Sequence, residues 1–141
     1  MMLSDQEALA VAQSAKIVAV VGMTDGKKPG RASFEIPEQL QKHGIRVLPV
    51  NPMIQEALGE KAVASLKDLT VVPDIVNVFR KPESIPEIAD ELLALPKEKR
   101  AGIVWLQTGI SHPESEARLE AGGYQVVSDR CLGVYVARSG R

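Results

Sequence analysis

The chain has 141 residues, 45% hydrophobic and 25% charged, with 17 Lys and Arg against 18 Asp and Glu for a formal charge of −1. That length and balance set one globular domain over residues 1–141 and exclude intrinsic disorder as the main state. They also argue against a duplex nucleic-acid binder, which places many cations on phosphates. One cysteine and two histidines exclude an internal disulfide and speak against a Cys- or His-rich metal site.

The opening Met1–Glu7 is polar and acidic, unlike a secretory leader. The longest apolar run, Ile17–Val21, falls far short of the about 20 residues that cross a bilayer. A soluble, cytoplasmic protein is expected. Ser4 and Glu7 have capping-box spacing, with Leu3 as a staple, so a first helix runs to about Ala15. Lys16–Val21 reads as a strand buried on both faces, because its apolar residues do not alternate with polar ones. Gly22–Arg31 is a loop by its three glycines and one proline. Ser33 opens a second helix reaching about His43 and closed by Gly44, with Pro37 in its first turn.

Ile45–Val50 is a second strand, with Pro49 near its end or lightly paired. Asn51-Pro52 breaks the chain, and a short helix follows at Ser65–Leu69. Asp74–Phe79 is a third strand. Ser84 and Glu87 cap a helix to about Leu95, and Pro96–Arg100 is a solvated turn. Gly102–Leu106 is a fourth strand. Ser111, Pro113 and Glu114 open a helix closed by Gly122-Gly123, with Glu114 and Glu116 on its solvated surface. Tyr124–Val127 is a fifth strand and Val134–Val136 a short last one, before a frayed tail at Arg138–Arg141. Strands alternating with helices define an α/β, Rossmann-like, doubly wound sheet, mostly parallel and five-stranded, with helices on both faces.

In such a sheet ligands bind beyond the C-terminal ends of the strands. Four segments end there: Gly22–Ser33, Asn51-Pro52, Phe79–Lys81 and Gln107–Ser111. The first joins glycines to a helix N-terminus, where backbone N–H groups and the helix dipole hold phosphate. Thr24 and Ser33 add hydroxyls, and Lys27, Lys28 and Arg31 add charge. The spacing Gly22-x-x-x-Gly26-x-x-x-Gly30 is neither G-x-G-x-x-G nor a Walker A sequence. Val50-Asn51-Pro52 supplies no carboxylate for a ribose diol, which disfavours NAD and suits a purine packed against the wall.

Five segments in order carry a resemblance: KIVAVVG at Lys16–Gly22, VLPVNP at Val47–Pro52, DIVNVFR at Asp74–Arg80, VWLQTGI at Val104–Ile110 and VVSDRC at Val126–Cys131. Together they resemble the small stand-alone CoA-binding protein family, whose fold is similar to the N-terminal CoA-binding domain of the succinyl-CoA synthetase alpha subunit. The resemblance spans about residues 5–135. It implies coenzyme A, or an acyl-CoA, lying across the strand ends. Gly22, Met23, Thr24 and the loop through Lys27 and Arg31 to Ser33 would surround the phosphates. Val50, Asn51 and Pro52 would line the adenosine side, and Phe79, Arg80 and Lys81 the middle. Gln107, Gly109 and Ile110 would follow the pantetheine arm. Met53 stands where family members often carry a basic residue, so Lys27, Lys28 or Arg31 substitutes for it toward a 3′-phosphate.

No catalytic residue and no metal ligand is assigned, and neither His43 nor His112 matches the synthetase's phosphorylated histidine. Cys131 reads first as a small apolar core residue and second as a thiol near the ligand, with Arg130 favouring its thiolate. Asp129-Arg130 reads as a structural ion pair and Trp105 as core. The chain is therefore expected to be a CoA-binding module taking a small-molecule ligand, with no nucleic acid and no membrane. Three alternatives stand beside it: a partner-completed component of an acyl-CoA synthetase, an NAD(P)-binding redox protein, and a regulatory interaction protein.

Overall fold

The unbroken apolar run at Ile17–Val21 forms a strand covered on both faces. A computed structural model describes residues 1–141. In chain order the elements are α1 (Asp5–Ser14), β1 (Ile17–Val21), α2 (Ala32–Lys42), β2 (Arg46–Val50), β3 (Glu56–Ala57), β4 (Glu60–Lys61), β5 (Ile75–Val78), α3 (Ile85–Ala94), β6 (Ile103–Leu106), α4 (Pro113–Ala121), β7 (Gln125–Val127) and α5 (Leu132–Arg138). The main sheet is parallel, in the order β2-β1-β5-β6-β7, and β3 and β4 form a separate antiparallel hairpin. This is the Rossmann-like sheet that the alternation of elements implies.

Alternate residues of each strand enter two cores. Val18, Val20, Ile75 and Trp105 pack with Leu40, Leu132 and Val136 of α2 and α5. Ala19, Val21, Val76 and Leu106 pack with Ile88, Leu92 and Leu119 of α3 and α4. The chain leaves β1 toward one edge through α2 and leaves β5 toward the other through α3. A crevice therefore opens between β1 and β5 beyond their C-terminal ends, the switch point where ligands bind in such sheets.

Both sheet edges are covered. Pro49 lies on the edge strand β2 with its carbonyl turned outward to accept from Val63 N–H at 3.1 Å, so its missing N–H costs the inner ladder nothing. At the other edge Met2 bridges Val126 in parallel, with Leu3 N–H donating to the Val126 carbonyl at 3.0 Å.

The structure corrects several expectations. Val134–Val136 is part of α5, although valine and tyrosine favour strands by propensity. Leu132, Tyr135 and Val136 share one buried face at helical spacing, and tertiary burial overrides propensity. The tail does not fray: the Arg141 guanidinium donates to the carbonyls of Ala12, Gln13 and Ala15 at 3.1, 2.8 and 2.6 Å, closing the C-terminal end of α1. Of the turn read as solvated, Lys97–Lys99 are exposed but Arg100 is half-buried. It donates to Leu93, Leu95 and Gly122 carbonyls at 2.7, 2.9 and 2.9 Å, serving the ends of α3 and α4 together. Ser84 is helical, following a 3₁₀ turn at Pro82–Ser84, and caps nothing with its side chain.

The α4 cap lies one residue later than the sequence pattern suggests. His112 Nδ1 accepts from Ser115 N–H at 3.2 Å, and the buried Glu116 carboxylate accepts from His112 N–H at 2.7 Å. Glu116 is thus not surface charge. Asp129 accepts from Gly109 N–H at 2.6 Å and pairs with no arginine.

Candidate functional site

Gly22 ends β1 at the switch point. Its φ is +83°, and a Cβ there would collide with the Phe79 carbonyl oxygen and lie 2.9 Å from Arg80 Cδ. Its N–H donates to the Val50 carbonyl at 2.9 Å, while Phe79 N–H donates to Val21 at 2.8 Å. Only glycine meets both demands, so the chain turns out of the sheet between β2 and β5 at this point.

Pro37 lies well inside α2, not in its first turn, because the helix starts at Ala32 with Arg31 as its N-cap. A residue with an N–H at position 37 would donate to the Ser33 carbonyl. Proline cannot, and Thr24 N–H takes that carbonyl at 3.2 Å. The Thr24 and Ser33 hydroxyls lie 3.1 Å apart. Two contacts therefore clip the glycine loop to the helix. One hydroxyl hydrogen is spent between Thr24 and Ser33, and the other remains free for a ligand.

Asn51 braces the loop from the other side. Its Nδ2 donates to the Met23 carbonyl and its Oδ1 accepts from Met53 N–H, both at 2.9 Å. Asn51 is 9% exposed, and its side chain holds the loop.

Two hollows flank this clip. One, of about 400 Å³, is lined by Thr24, Asp25, Lys27, Lys28, Arg31, Asn51, Met53 and Ile54. The other, of about 590 Å³, runs between the start of α2 and the loops after β5 and β6, with Ser33, Phe79, Arg80, Lys81, Gln107, Ile110 and Cys131 in its wall. A smaller pit of about 150 Å³ joins Gly22, Val50 and Pro52 to Arg80. Both larger hollows fall in the range of small-molecule sites, about 300–1,000 Å³. Lys27, Lys28, Arg31, Arg80 and Lys81 give this edge a cationic surface on a chain whose formal charge is −1.

Thirteen of the fifteen residues singled out in the sequence line these three hollows. Met23 does not: its side chain is fully buried, and only its carbonyl acts, on Asn51. Gly109 does not either, its N–H being taken by Asp129. Asp25, Ala32 and Thr108 line the hollows too, within the wall segments read from the sequence, and the structure adds Ile36 and Pro82 to the larger wall and Ile54 to the smaller. Ile36, four residues beyond Ala32 on α2, had a legible signal in their shared helix face. Cys131 is half-buried in the larger wall and is not core packing.

Residues 5–137 match the family model described as CoA binding domain, and the chain belongs to that family. The uncharacterized protein YneT of Bacillus subtilis (strain 168) is 40% identical over 131 residues, 93% of each chain. The structure of cell-free ID.343 from Thermus thermophilus is 46% identical, with a TM-score of 0.87 over 97% of this chain and 99% of that one. The dinucleotide-forming acetyl-coenzyme A synthetase 1 of Ca. Korarchaeum cryptofilum shares the fold, with a TM-score of 0.62 at 21% identity, over 79% of this chain and 25% of its own. No helix is long and apolar enough to cross a membrane.

Proposed function

We propose that this protein binds coenzyme A or an acyl-CoA across the C-terminal edge of its sheet, as a single cytoplasmic binding domain without catalysis of its own. The observation that carries the reading is the pairing of a cation-lined hollow with a longer, more apolar one on either side of the Thr24–Ser33 clip. CoA has the matching form, a phosphorylated nucleoside at one end and a thin pantetheine arm at the other. Ala32 and Ser33 N–H groups at the start of α2 have no acceptor in the chain and face the role of phosphate donors. Lys27, Lys28 and Arg31 add charge for the nucleotide phosphates, with Met53 and Pro52 against the purine. Phe79, Arg80 and Lys81 border the middle of the ligand, and Gln107 and Ile110 the arm.

NAD fits less well. The end of β2 carries no carboxylate for a ribose diol, and the Asn51 side chain there is engaged in bracing the loop. Calorimetric titration with CoA, acetyl-CoA, NAD and ATP tests the reading. CoA or acetyl-CoA is expected to bind most tightly. Tighter binding of NAD, or no heat with either CoA species, overturns it. A second reading rests on the shared fold with a synthetase about three times this length: a partner chain completes an active site around the bound ligand. Thioester formation from CoA, acid and nucleotide only after a partner is added would favour that reading.

A further inference from the structure

We infer that the larger hollow is a thiol–disulfide exchange site, in which Cys131 captures the disulfide form of the CoA-type ligand. The inference rests on the CoA reading above and goes beyond it. A cysteine alone would not carry it; the second observation is Gln107. That side chain is 6% exposed and lines the same hollow. Its Oε1 accepts from Leu132 N–H and from Asn77 Nδ2, both at 3.3 Å. The Leu132 N–H fixes the amide orientation, because a flipped Gln107 would set donor against donor. The Nε2 group has no partner in the chain, and the only enclosed side-chain polar atom without one is Asn77 Oδ1. Gln107 Nε2 therefore faces the open hollow as an unmet donor, suited to an amide carbonyl of an extended ligand.

The backbone around Cys131 is fixed on both sides. Trp105 Nε1 donates to the Arg130 carbonyl at 2.9 Å, and Leu132 N–H is held by Gln107. The thiol thus sits at a fixed place in the wall, half-buried. A ligand anchored by its phosphates at the α2 end extends its sulfur into this hollow. In the exchange, the Cys131 thiolate attacks one sulfur of the ligand disulfide. The ligand S–S bond breaks, a Cys131–ligand disulfide forms, and the departing thiolate takes up the proton Cys131 gave up. Cys131 is the only cysteine in the chain, so no internal thiol resolves the adduct and release needs an external thiol.

The test is intact-mass spectrometry of the full chain incubated with CoA disulfide, and separately with oxidised glutathione. One CoA adduct is expected, removed by dithiothreitol, absent in Cys131→Ser, and formed roughly tenfold or more faster than the glutathione adduct, the factor that ~1.4 kcal/mol of added binding supplies. Gln107→Glu keeps the acceptor for Leu132 and Asn77 and removes the donor. It should slow the CoA adduct by a larger factor than the glutathione adduct. Equal rates with both disulfides, or no adduct on the folded chain while the unfolded chain is labelled, overturn the inference. Titration with reduced CoA separates the two readings. Normal binding without an adduct removes only the exchange step, whereas absent binding in wild type and Cys131→Ser alike removes both.

Discussion

Pro37 shows how one residue outside the lining shapes a candidate site. By leaving the Ser33 carbonyl without an intrahelical donor, it makes that carbonyl available to Thr24 N–H, and the glycine loop is drawn against α2. In Pro37→Ala the restored N–H competes for the same acceptor. Helix α2 should hold or gain stability, while CoA affinity falls about fivefold, the effect of a hydrogen bond worth ~1 kcal/mol. Calorimetry beside thermal unfolding checks this, and unchanged affinity would show that the clip does not set the loop's position. Gly22 makes the opposite kind of demand. In Gly22→Ala, left-handed strain and collision with the Phe79 backbone add to a loss of about 2–4 kcal/mol. Gly30 also has positive φ, at +77°, but nothing lies within 4 Å of an added Cβ. Gly30→Ala should therefore cost about 1–2 kcal/mol, from strain alone. Denaturant midpoints of the two variants decide; equal losses would mean that the close approach at Gly22 is relieved.

Among the elements, those read correctly from the sequence carry their own signals. The Ser4–Glu7 capping box forms in both directions, at 2.9 and 3.2 Å, and the apolar strand runs fall where burial on two faces requires them. The glycine loop was legible as the lining of hollows at the sheet's C-terminal edge because composition and position in an α/β sheet agree. What was not legible depends on partners distant in sequence. Nothing local announces that Arg141 closes α1, or that the Glu91 carboxylate on α3 gathers Ser65 Oγ at 2.6 Å and Leu66 N–H at 2.7 Å. The β3–β4 hairpin is also of this kind, tied to β2 by Arg46 Nε and Nη2 on the two Glu60 oxygens at 2.8 and 3.2 Å. That arginine holds the Glu60 carboxyl below its ordinary value. A depressed folded-state pKa contributes stability above the unfolded value, about 4.3, and that contribution is lost as pH falls through the lower folded value. The pair is partly exposed, so solvent screening keeps its contribution small. Amide exchange at Glu60 and Lys61 should rise, relative to the sheet amides, as pH drops from 5 to 3 (roughly the carboxylate window). Glu60→Gln should abolish that pH response, and a response surviving in the variant would assign it to another carboxyl.

At the scale of the whole molecule, the charge is nearly balanced but unevenly placed. Lys27, Lys28, Arg31, Arg80 and Lys81 lie at the C-terminal edge of the sheet, while Asp25 is the one carboxylate lining the two larger hollows there. A polyanionic ligand bound at that edge stabilises the folded chain by mass action, about 2.7 kcal/mol at a hundred times its Kd. For a domain of this size each kcal/mol raises Tm by about 2–4 °C, so saturating CoA should raise it by roughly 5–11 °C. The cations are exposed and are screened over about 10 Å at 0.1 M salt and about 3 Å at 1 M, so the shift at fixed CoA should shrink markedly between those salt concentrations. Dephospho-CoA separates the contributions, since it keeps the pyrophosphate for the helix N-terminus and lacks the 3′-phosphate. If Lys27, Lys28 or Arg31 takes the place of a basic residue at Met53, dephospho-CoA should give a smaller shift at low salt. The two ligands should then converge at high salt. Scanning calorimetry at the two salt concentrations reads all four shifts, each against the ligand-free chain at the same salt. Equal shifts for the two ligands at low salt would place the 3′-phosphate in solvent and leave these cations to the pyrophosphate alone.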